Sequence, residues 1–174
     1  MIKYKTYHSP IGDLVLTSED NKLTGLFFKD KITLKEYKEA ENLKIFSDAF
    51  KWLDMYFSKQ IPNFELDISF KNITDFQKSV LLELLKIPYG KTITYGDISK
   101  KLEEKYKIKK MSSQAVGQAV KRNPIAIIVP CHRVIGKDNK ITGYYGGLER
   151  KYYLLNLEGI DTKNLKWNVV NGVI

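Results

Sequence analysis

The sequence is poor in the residues that form disulfides and metal sites. One cysteine and two histidines among 174 residues exclude an internal disulfide and leave no cysteine-rich zinc site. No apolar run approaches the roughly 20 residues that span a bilayer, and residues 1–5 alternate instead of opening a secretory signal. At 43% hydrophobic residues, the chain can still bury a core. These features predict a soluble, cytoplasmic and monomeric protein that needs no metal or cofactor.

The sequence has no excess of acidic residues. Its excess of basic residues lies in one part of the chain. Residues 1–73 hold 11 Lys against 11 Asp plus Glu, whereas residues 74–174 hold 15 Lys and 3 Arg against 9 Asp plus Glu. The second part therefore carries the net charge of +9, which favours a polyanionic partner, nucleic acid first. A lysine-rich protein that is merely soluble would show the same total. The three arginines, however, all flank the cysteine, and arginine suits planar contact with phosphate or carboxylate.

The first part of the chain reads as a small sheet with one helix. Polar and apolar residues alternate over 2–7, 14–17 and 23–28, and turn signals separate these segments, which predicts an antiparallel meander. Aromatic and leucine residues at 46, 50, 53 and 57 have helical spacing, with Ser47 as candidate cap. Strict alternation over 64–70 predicts one more strand. No motif with chemistry occurs here, and His8 beside a turn reads as a surface residue.

The second part reads as mostly helical. Thr74 and Gln77 have the spacing of a capping box in which Gln77 reaches back, Thr94 can cap a second helix, and Ser112 or Ser113 a third over 114–122. A last helix over 148–157 ends before a glycine. The second and third helices are typical of a helix-turn-helix, although two packed helices of a bundle would give the same pattern. The predicted fold class is α/β (α+β), with an N-terminal sheet-plus-helix domain at 1–73 and a helical C-terminal domain at 74–174.

The cysteine lies in a segment of unusual composition. Cys131 follows an apolar run and Pro130, and an imidazole and a guanidinium come directly after it at His132 and Arg133. A thiolate forms where a base or a positive charge lies beside the sulfur, although a lone cysteine is more often a small buried hydrophobe. Neighbouring side chains of an extended segment point to opposite faces, so His132 could act on Cys131 only through a sharp turn or a bridging water.

A nucleophile and its base usually have a carboxylate that orients the imidazole. Acidic residues after the cysteine are few, at positions 138, 149, 158 and 161. Glu158 falls at the end of the last predicted helix, where a carboxylate is unfavourable for the helix dipole. That position suggests a role in the site, although an ordinary surface residue is the other interpretation.

Taken together, the motifs resemble those of the O6-alkylguanine-DNA alkyltransferases, also called methylated-DNA–protein-cysteine methyltransferases. The likeness covers residues 74–160 and is carried by Ile-Pro-Tyr-Gly-Lys-Thr-Ile-Thr-Tyr-Gly at 87–96, Ala-Val-Gly at 115–117, Asn-Pro at 123–124, Val-Pro-Cys-His-Arg-Val-Ile-Gly at 129–136, Gly-Tyr-Tyr-Gly-Gly-Leu at 143–148 and Leu-Leu-Asn-Leu-Glu-Gly at 154–159. Residues 1–73 match the family only in outline, as its ribonuclease-H-like supporting domain. The resemblance implies a DNA repair protein that flips O6-alkylguanine, or O4-alkylthymine, out of duplex DNA and transfers the alkyl group irreversibly to its own cysteine.

The resemblance also implies a role for individual residues. Cys131 would be the nucleophile, His132 would remove its proton through a water, Glu158 would orient His132, Tyr95 would donate a proton toward N3 of the departing guanine, and Asn123 would hold the turn. The expected DNA contacts are Gln77, Ser112, Ser113, Gln114, Ala115, Gly117, Lys121, Arg122, Arg133 and Lys137. The expected substrate pocket is formed by Tyr95, Val129, Pro130, Val134, Tyr144, Tyr145 and Gly146.

Two positions depart from the family pattern. Gln114 stands where an arginine commonly fills the gap left by the flipped base, which predicts weaker flipping, and Lys121 or Arg122 could replace the lost charge. Tyr145 stands where many members carry a small residue, which predicts a narrower pocket. The zinc ligands of some relatives are missing here.

Three other functions remain open at this point. A non-catalytic sensor of alkylated DNA would lack the cysteine that is present here. A helix-turn-helix regulator would not need the Pro-Cys-His-Arg segment. A cysteine hydrolase needs a histidine remote from the nucleophile in sequence, and His8 is the only candidate.

Overall fold

A computed structural model describes residues 1–167, which form two compact units. The first unit holds residues 1–72 together with 124–126, and the second holds residues 73–123 and the described chain from 127 onward. The mixed α/β class predicted from the sequence is confirmed, with four strands in the main sheet and five α-helices among the described residues. No helix in the described part of the chain is both long and apolar enough to cross a membrane.

The first unit is built on the predicted meander, which is confirmed. Strands β1 (Lys3–Ser9), β2 (Gly12–Glu19) and β3 (Lys22–Phe28) pair antiparallel in sequence order. A short strand, β4 (Lys38–Glu39), adds to β1 in parallel, so the sheet order is β3-β2-β1-β4. Helix α1 (Lys44–Phe57) buries apolar residues at helical spacing, among them Phe46 and Leu53.

Two sequence predictions for this unit are wrong. Ser47 does not cap α1, because the helix begins at Lys44 and Leu43, which holds the cap position, makes no side-chain cap bond. The segment 64–70 is not a strand, since it meets β3 at a single parallel bridge between Leu23 and Ile68. Alternating side chains require an extended backbone, but a strand also needs a partner along its length.

The second unit contains four helices and two short parallel ladders. Helices α2 (Asp75–Leu84), α3 (Tyr95–Tyr106) and α4 (Ser113–Lys121) pack on one another, and α5 (Leu148–Leu157) follows. Strand β5 (Ile93–Thr94) pairs with β6 (Val134–Ile135), and β7 (Lys140–Ile141) pairs with β8 (Lys166–Trp167). The ladder of β5 with β6 joins the start of α3 to the segment that follows the cysteine.

Side-chain caps fix where the helices begin. Thr94 Oγ1 accepts a hydrogen bond from Asp97 N at 3.0 Å, and an Asp97 carboxylate oxygen accepts one from Thr94 N at 3.2 Å, which completes a capping box at α3. Ser112, not Ser113, caps α4 by accepting from Ala115 N at 3.2 Å.

The predicted box at α2 is only half formed. Thr74 accepts from Gln77 N at 3.1 Å, as predicted. The Gln77 side chain does not reach back, however. Its Nε2 donates instead to the carbonyl of Arg122 at 2.9 Å, so that it links α2 to the end of α4.

Replacing the cap of α3 should destabilise the second unit. We expect Thr94→Ala to lower the free energy of unfolding by about 1 kcal/mol, the usual cost of losing a threonine cap. Chemical denaturation monitored by far-UV circular dichroism measures this change. Thr92→Ala, at an exposed position two residues earlier, is the matched control, and an equal loss in both variants would contradict the assignment.

Candidate functional site

The cysteine lies at the start of a tight turn. Residues Cys131–Arg133 form a single 3-10 turn after Pro130, in which Cys131 N donates to Val129 O at 2.8 Å and Arg133 N donates to Pro130 O at 3.0 Å. Ile127, four residues earlier, has a φ of +69°, which is rare for a β-branched residue and occurs where the surroundings impose it. The chain therefore changes direction sharply at the cysteine. A sharp turn is one of the two arrangements that would let His132 act on the thiol of Cys131.

Asn123 ties this turn to the end of α4. Its side chain is buried, its Nδ2 donates to Val129 O at 2.8 Å, and the side chain also hydrogen-bonds with the Cys131 thiol. One amide thus fixes both the backbone before the cysteine and the sulfur itself.

A buried carboxylate lies at the centre of the site. Glu158 Oε1 is 2.6 Å from His132 Nε2 and accepts from Arg133 Nη2 at 3.0 Å. Glu158 Oε2 accepts from Arg133 Nε at 2.9 Å and from Gly90 N at 3.0 Å. Although burial favours the neutral acid, the hydrogen bonds of His132 and Arg133 and the positive charge of the guanidinium hold the pKa of Glu158 well below its usual range. The group is therefore a carboxylate at neutral pH.

Arg133, which the resemblance placed at the DNA, lies in the interior of the second unit. Its guanidinium is nearly buried, forms the pair with Glu158 just described, and donates from Nη1 to Ile87 O at 2.7 Å. Three of the five N–H donors of the guanidinium are used on the carboxylate of Glu158 and the carbonyl of Ile87, so the group is held in the interior of the unit. The sequence correctly indicated planar pairing by arginine, but the partner is a carboxylate of the same unit.

The protonation of His132 follows from its partner. Its ring is fully buried, and burial lowers the pKa of the imidazole despite the opposing bond to Glu158. A carboxylate can only accept, so Nε2 carries the shared proton and Nδ1 keeps the lone pair of the neutral ring. The histidine therefore has the tautomer of a base that a carboxylate orients.

The cysteine itself is a thiol at rest. Cys131 is 5% exposed, and burial raises the pKa of its thiol, while the hydrogen bond of Asn123 and the charge of Lys151 act in the opposite direction. The phenol of Tyr144 lies beside the site, and burial raises the pKa of that phenol well above its ordinary value. The sulfur thus needs a base before it can attack.

Lys151 is a site residue that the sequence reasoning missed. This lysine on α5 has no exposed surface, and its Nζ donates to Val134 O at 2.6 Å, to Thr142 O at 3.2 Å and to Gly143 O at 3.4 Å. Burial lowers its pKa to about 8. One signal was available, since Lys151 falls on the buried stripe of α5 three residues before Leu154.

A cavity of about 180 Å³ opens onto the sulfur. Three of the predicted pocket residues, Tyr95, Tyr144 and Tyr145, line it. The rings of the two neighbouring tyrosines meet edge to face, with their centroids 6.2 Å apart. Tyr95 OH accepts from Thr142 Oγ1 at 3.3 Å, and burial raises the pKa of this phenol. The other lining residues are Gly117, Val120, Lys121, Cys131 and Gly143.

Four predicted pocket residues do not contribute to the lining of this cavity. Val129, Pro130 and Val134 are buried within the turn and the ladder that support the cysteine, and Gly146 is buried where its carbonyl accepts from Arg150. Gly117 and Lys121, which were expected at the DNA, also line this cavity. A Cβ at Gly117 would lie 3.8 Å from the Tyr95 ring, an ordinary contact, so this wall does not strictly require glycine.

The remaining predicted DNA contacts lie on one surface of the second unit. Ser112, Ser113, Gln114, Ala115, Lys121 and Arg122 are exposed on or beside α4. A groove of about 730 Å³ runs between α3 and α4 and shares Tyr95 and Gly117 with the cavity. Gln114 and the exposed Lys137 line this groove, as do Asp97, Lys100 and Asp138. The cavity with the sulfur therefore adjoins a groove that carries charges of both signs.

The residues that a cysteine hydrolase or a metal site would need are not brought together in residues 1–167. His8, the candidate base of a hydrolase, is on β1 of the first unit with a side chain 85% exposed, and its Nδ1 is 2.7 Å from Asp13 Oδ1. Within residues 1–167, no group of three or more His, Cys, Asp or Glu side chains could hold a metal ion.

Known proteins resemble this chain in both parts. The family described as 6-O-methylguanine DNA methyltransferase matches twice, with its ribonuclease-like domain over residues 2–70 and its DNA binding domain over residues 75–160. A methylated-DNA–protein-cysteine methyltransferase of Methanosarcina acetivorans is 43% identical over 90% of this chain and 97% of its own length. A constitutive methylated-DNA–protein-cysteine methyltransferase of Bacillus subtilis is 38% identical over 92% and 97%.

Solved structures agree with these relatives. The crystal structure of the Mycobacterium tuberculosis O6-methylguanine methyltransferase superimposes with a TM-score of 0.80 at 40% identity, covering 91% of this chain and 93% of that one. The structure of the M. tuberculosis protein OGT in complex with DNA gives a TM-score of 0.80 at 38% identity and covers 94% of each chain. The chain therefore belongs to the 6-O-methylguanine-DNA methyltransferase family, the methylated-DNA–protein-cysteine methyltransferases.

Proposed function

We propose that this protein repairs O6-alkylguanine in duplex DNA by moving the alkyl group onto the sulfur of Cys131, once per molecule. The observation that carries the proposal is a cysteine that lines a cavity together with three tyrosines and adjoins a histidine oriented by a buried carboxylate. The names of the relatives support transfer over a sensor or a regulator. The same chemistry extends to O4-alkylthymine, which also carries its alkyl group on an exocyclic oxygen of the base.

The net reaction transfers one alkyl group from guanine to the sulfur and one proton from the thiol to guanine. His132 takes the thiol proton through a water at its Nδ1, and Glu158 stabilises the imidazolium that forms. The sulfur then attacks the alkyl carbon, so that an S–C bond forms while the O6–C bond breaks and its electron pair leaves with guanine. The Tyr95 phenol is neutral at pH 7, and burial raises its pKa further. It donates a proton toward N3 of the departing base, and the proton held by His132 then returns through water to the phenolate.

The surrounding residues hold the reacting atoms in place. Asn123 fixes the sulfur and the turn, and the buried ammonium of Lys151 favours the thiolate as it develops. Because the thioether that results is stable and no reductant could restore the thiol, each molecule acts on one lesion.

Access to the sulfur requires the base to leave the duplex. A cysteine that is 5% exposed at a cavity of about 180 Å³ cannot reach an atom inside stacked DNA, so the lesion nucleotide must be extruded. The exposed residues of α4 would enter the DNA groove, and the lysines and arginines nearby would contact phosphates. We infer a monomer in the cytoplasm, with residues 1–73 as the supporting domain and 74–174 as the catalytic and DNA-binding domain.

The transfer is tested by the intact mass of the protein. After incubation with an equimolar duplex that carries one O6-methylguanine, we expect a single added methyl group, located on Cys131 by peptide mapping, and unmodified guanine in the DNA. Cys131→Ala should gain no mass and should still bind the lesion duplex in a gel-shift assay. Unchanged mass with tight lesion binding would indicate a sensor, and equal affinity for undamaged duplex would indicate a regulator.

Tyr95 should matter for the rate more than for binding. Removing its hydroxyl in Tyr95→Phe takes away a proton donor, and such donors contribute about 10²–10⁴-fold to rates. We expect the single-turnover rate constant to fall by about 100-fold with little change in the dissociation constant for lesion duplex. Tyr106→Phe, at the exposed far end of α3, is the control. Equal losses of rate and affinity would remove Tyr95 from the chemistry.

Gln114 should limit how tightly the lesion is bound. Gln114→Arg adds a cation at the exposed start of α4, and we expect a lower dissociation constant for lesion duplex with a steeper dependence on salt. Gln118→Arg places the same charge one turn further along the same exposed face and serves as control. The idea fails if the affinity of Gln114→Arg is unchanged or if both variants bind equally more tightly.

A further inference from the structure

We propose that Tyr145 sets the size of the alkyl group, so that this protein accepts small groups such as methyl and excludes aromatic groups such as benzyl. The inference rests on the proposed transfer to Cys131 and adds its substrate class. It is based on the volume of the cavity and on whether each lining side chain can move.

The cavity has room for one ring system. Its volume is about 180 Å³, whereas a cavity of about 150 Å³ holds a single benzene molecule and pockets for larger ligands begin near 300 Å³. A purine ring with a methyl group at O6 therefore takes up most of the space. An aryl group at O6 would need about as much volume again.

Most walls of the cavity cannot move without loss of the site. Cys131 and Tyr95 take part in the chemistry, and the two glycines have no side chain to retract. Val120 is 4% exposed and packed, and the Tyr144 phenol is buried. Lys121 is an exposed, flexible chain that can swing into solvent.

Tyr145 is the one large lining side chain that remains. It is only half-buried, and its ring packs edge to face against that of Tyr144. Beside it, a Cβ placed on Gly143 would have no atom within 4 Å, so open space lies next to this part of the wall. Removing the Tyr145 ring would therefore join the cavity to this open space.

The test compares two substrates in single turnover. Transfer to the protein from duplexes that carry either O6-methylguanine or O6-benzylguanine is followed by intact mass, for the unmodified protein and for Tyr145→Ala, Tyr145→Ser and Tyr145→Phe. Two small variants are used so that a folding defect in one leaves the comparison intact. The phenylalanine variant keeps the ring and removes only the hydroxyl, so it separates size from hydrogen bonding.

We expect the rate of benzyl transfer relative to methyl transfer to rise at least about tenfold in both small variants, since misfit of one or a few carbons in a pocket changes rates about 10- to 200-fold. The ratio should stay unchanged in Tyr145→Phe. An unchanged ratio in the small variants overturns the proposal, and so does a loss of methyl transfer in them that phenylalanine restores, because Tyr145 would then hold the base. Failure of the unmodified protein to take up methyl would instead overturn the proposed function.

Discussion

The second unit depends on a single buried carboxylate. Glu158 receives N–H donors from His132, Arg133 and Gly90, and so joins the end of α5 to the cysteine turn and to the chain before β5. Each buried ion costs several kcal/mol in lost hydration, and this is offset only when the partners are complete. Removing the carboxylate would leave the guanidinium of Arg133 uncompensated, a change that typically costs about 3–5 kcal/mol.

The same carboxylate sets how the site responds to pH. Because the pKa of Glu158 lies below its ordinary value, its contribution to stability is fully present above about pH 4.3, the ordinary pKa of glutamate. The contribution is lost as the pH falls through the lower pKa of the folded protein. At neutral pH the site therefore combines a fixed negative charge, a neutral imidazole and a protonated sulfur, which is an arrangement poised to move one proton.

Local features of the site could be read from the sequence, whereas the pairing of buried charges could not. The caps at Thr74 and Thr94 and the meander of the first unit depend on residues close in sequence, and the structure has them. The burial of Arg133 and Lys151 was not predicted, because a charged side chain is expected to be exposed unless its buried partner is known. For Arg133 that partner is Glu158, 25 residues away, and for Lys151 it is a set of carbonyls brought together by β6 and the chain after β7. The segment 64–70 shows the same limit, because its alternation indicated an extended backbone but not the missing strand partner.

Burial of the sulfur has a consequence for the lifetime of the unused protein. Oxidants and small electrophiles react with exposed thiolates, and Cys131 is neither exposed nor, with its raised pKa, ionised at rest. Oxidation of the sulfur to the sulfinic or sulfonic acid is irreversible and would use up the protein without repair. The burial of the sulfur therefore also protects the thiol from oxidation until the protein binds a lesion in DNA.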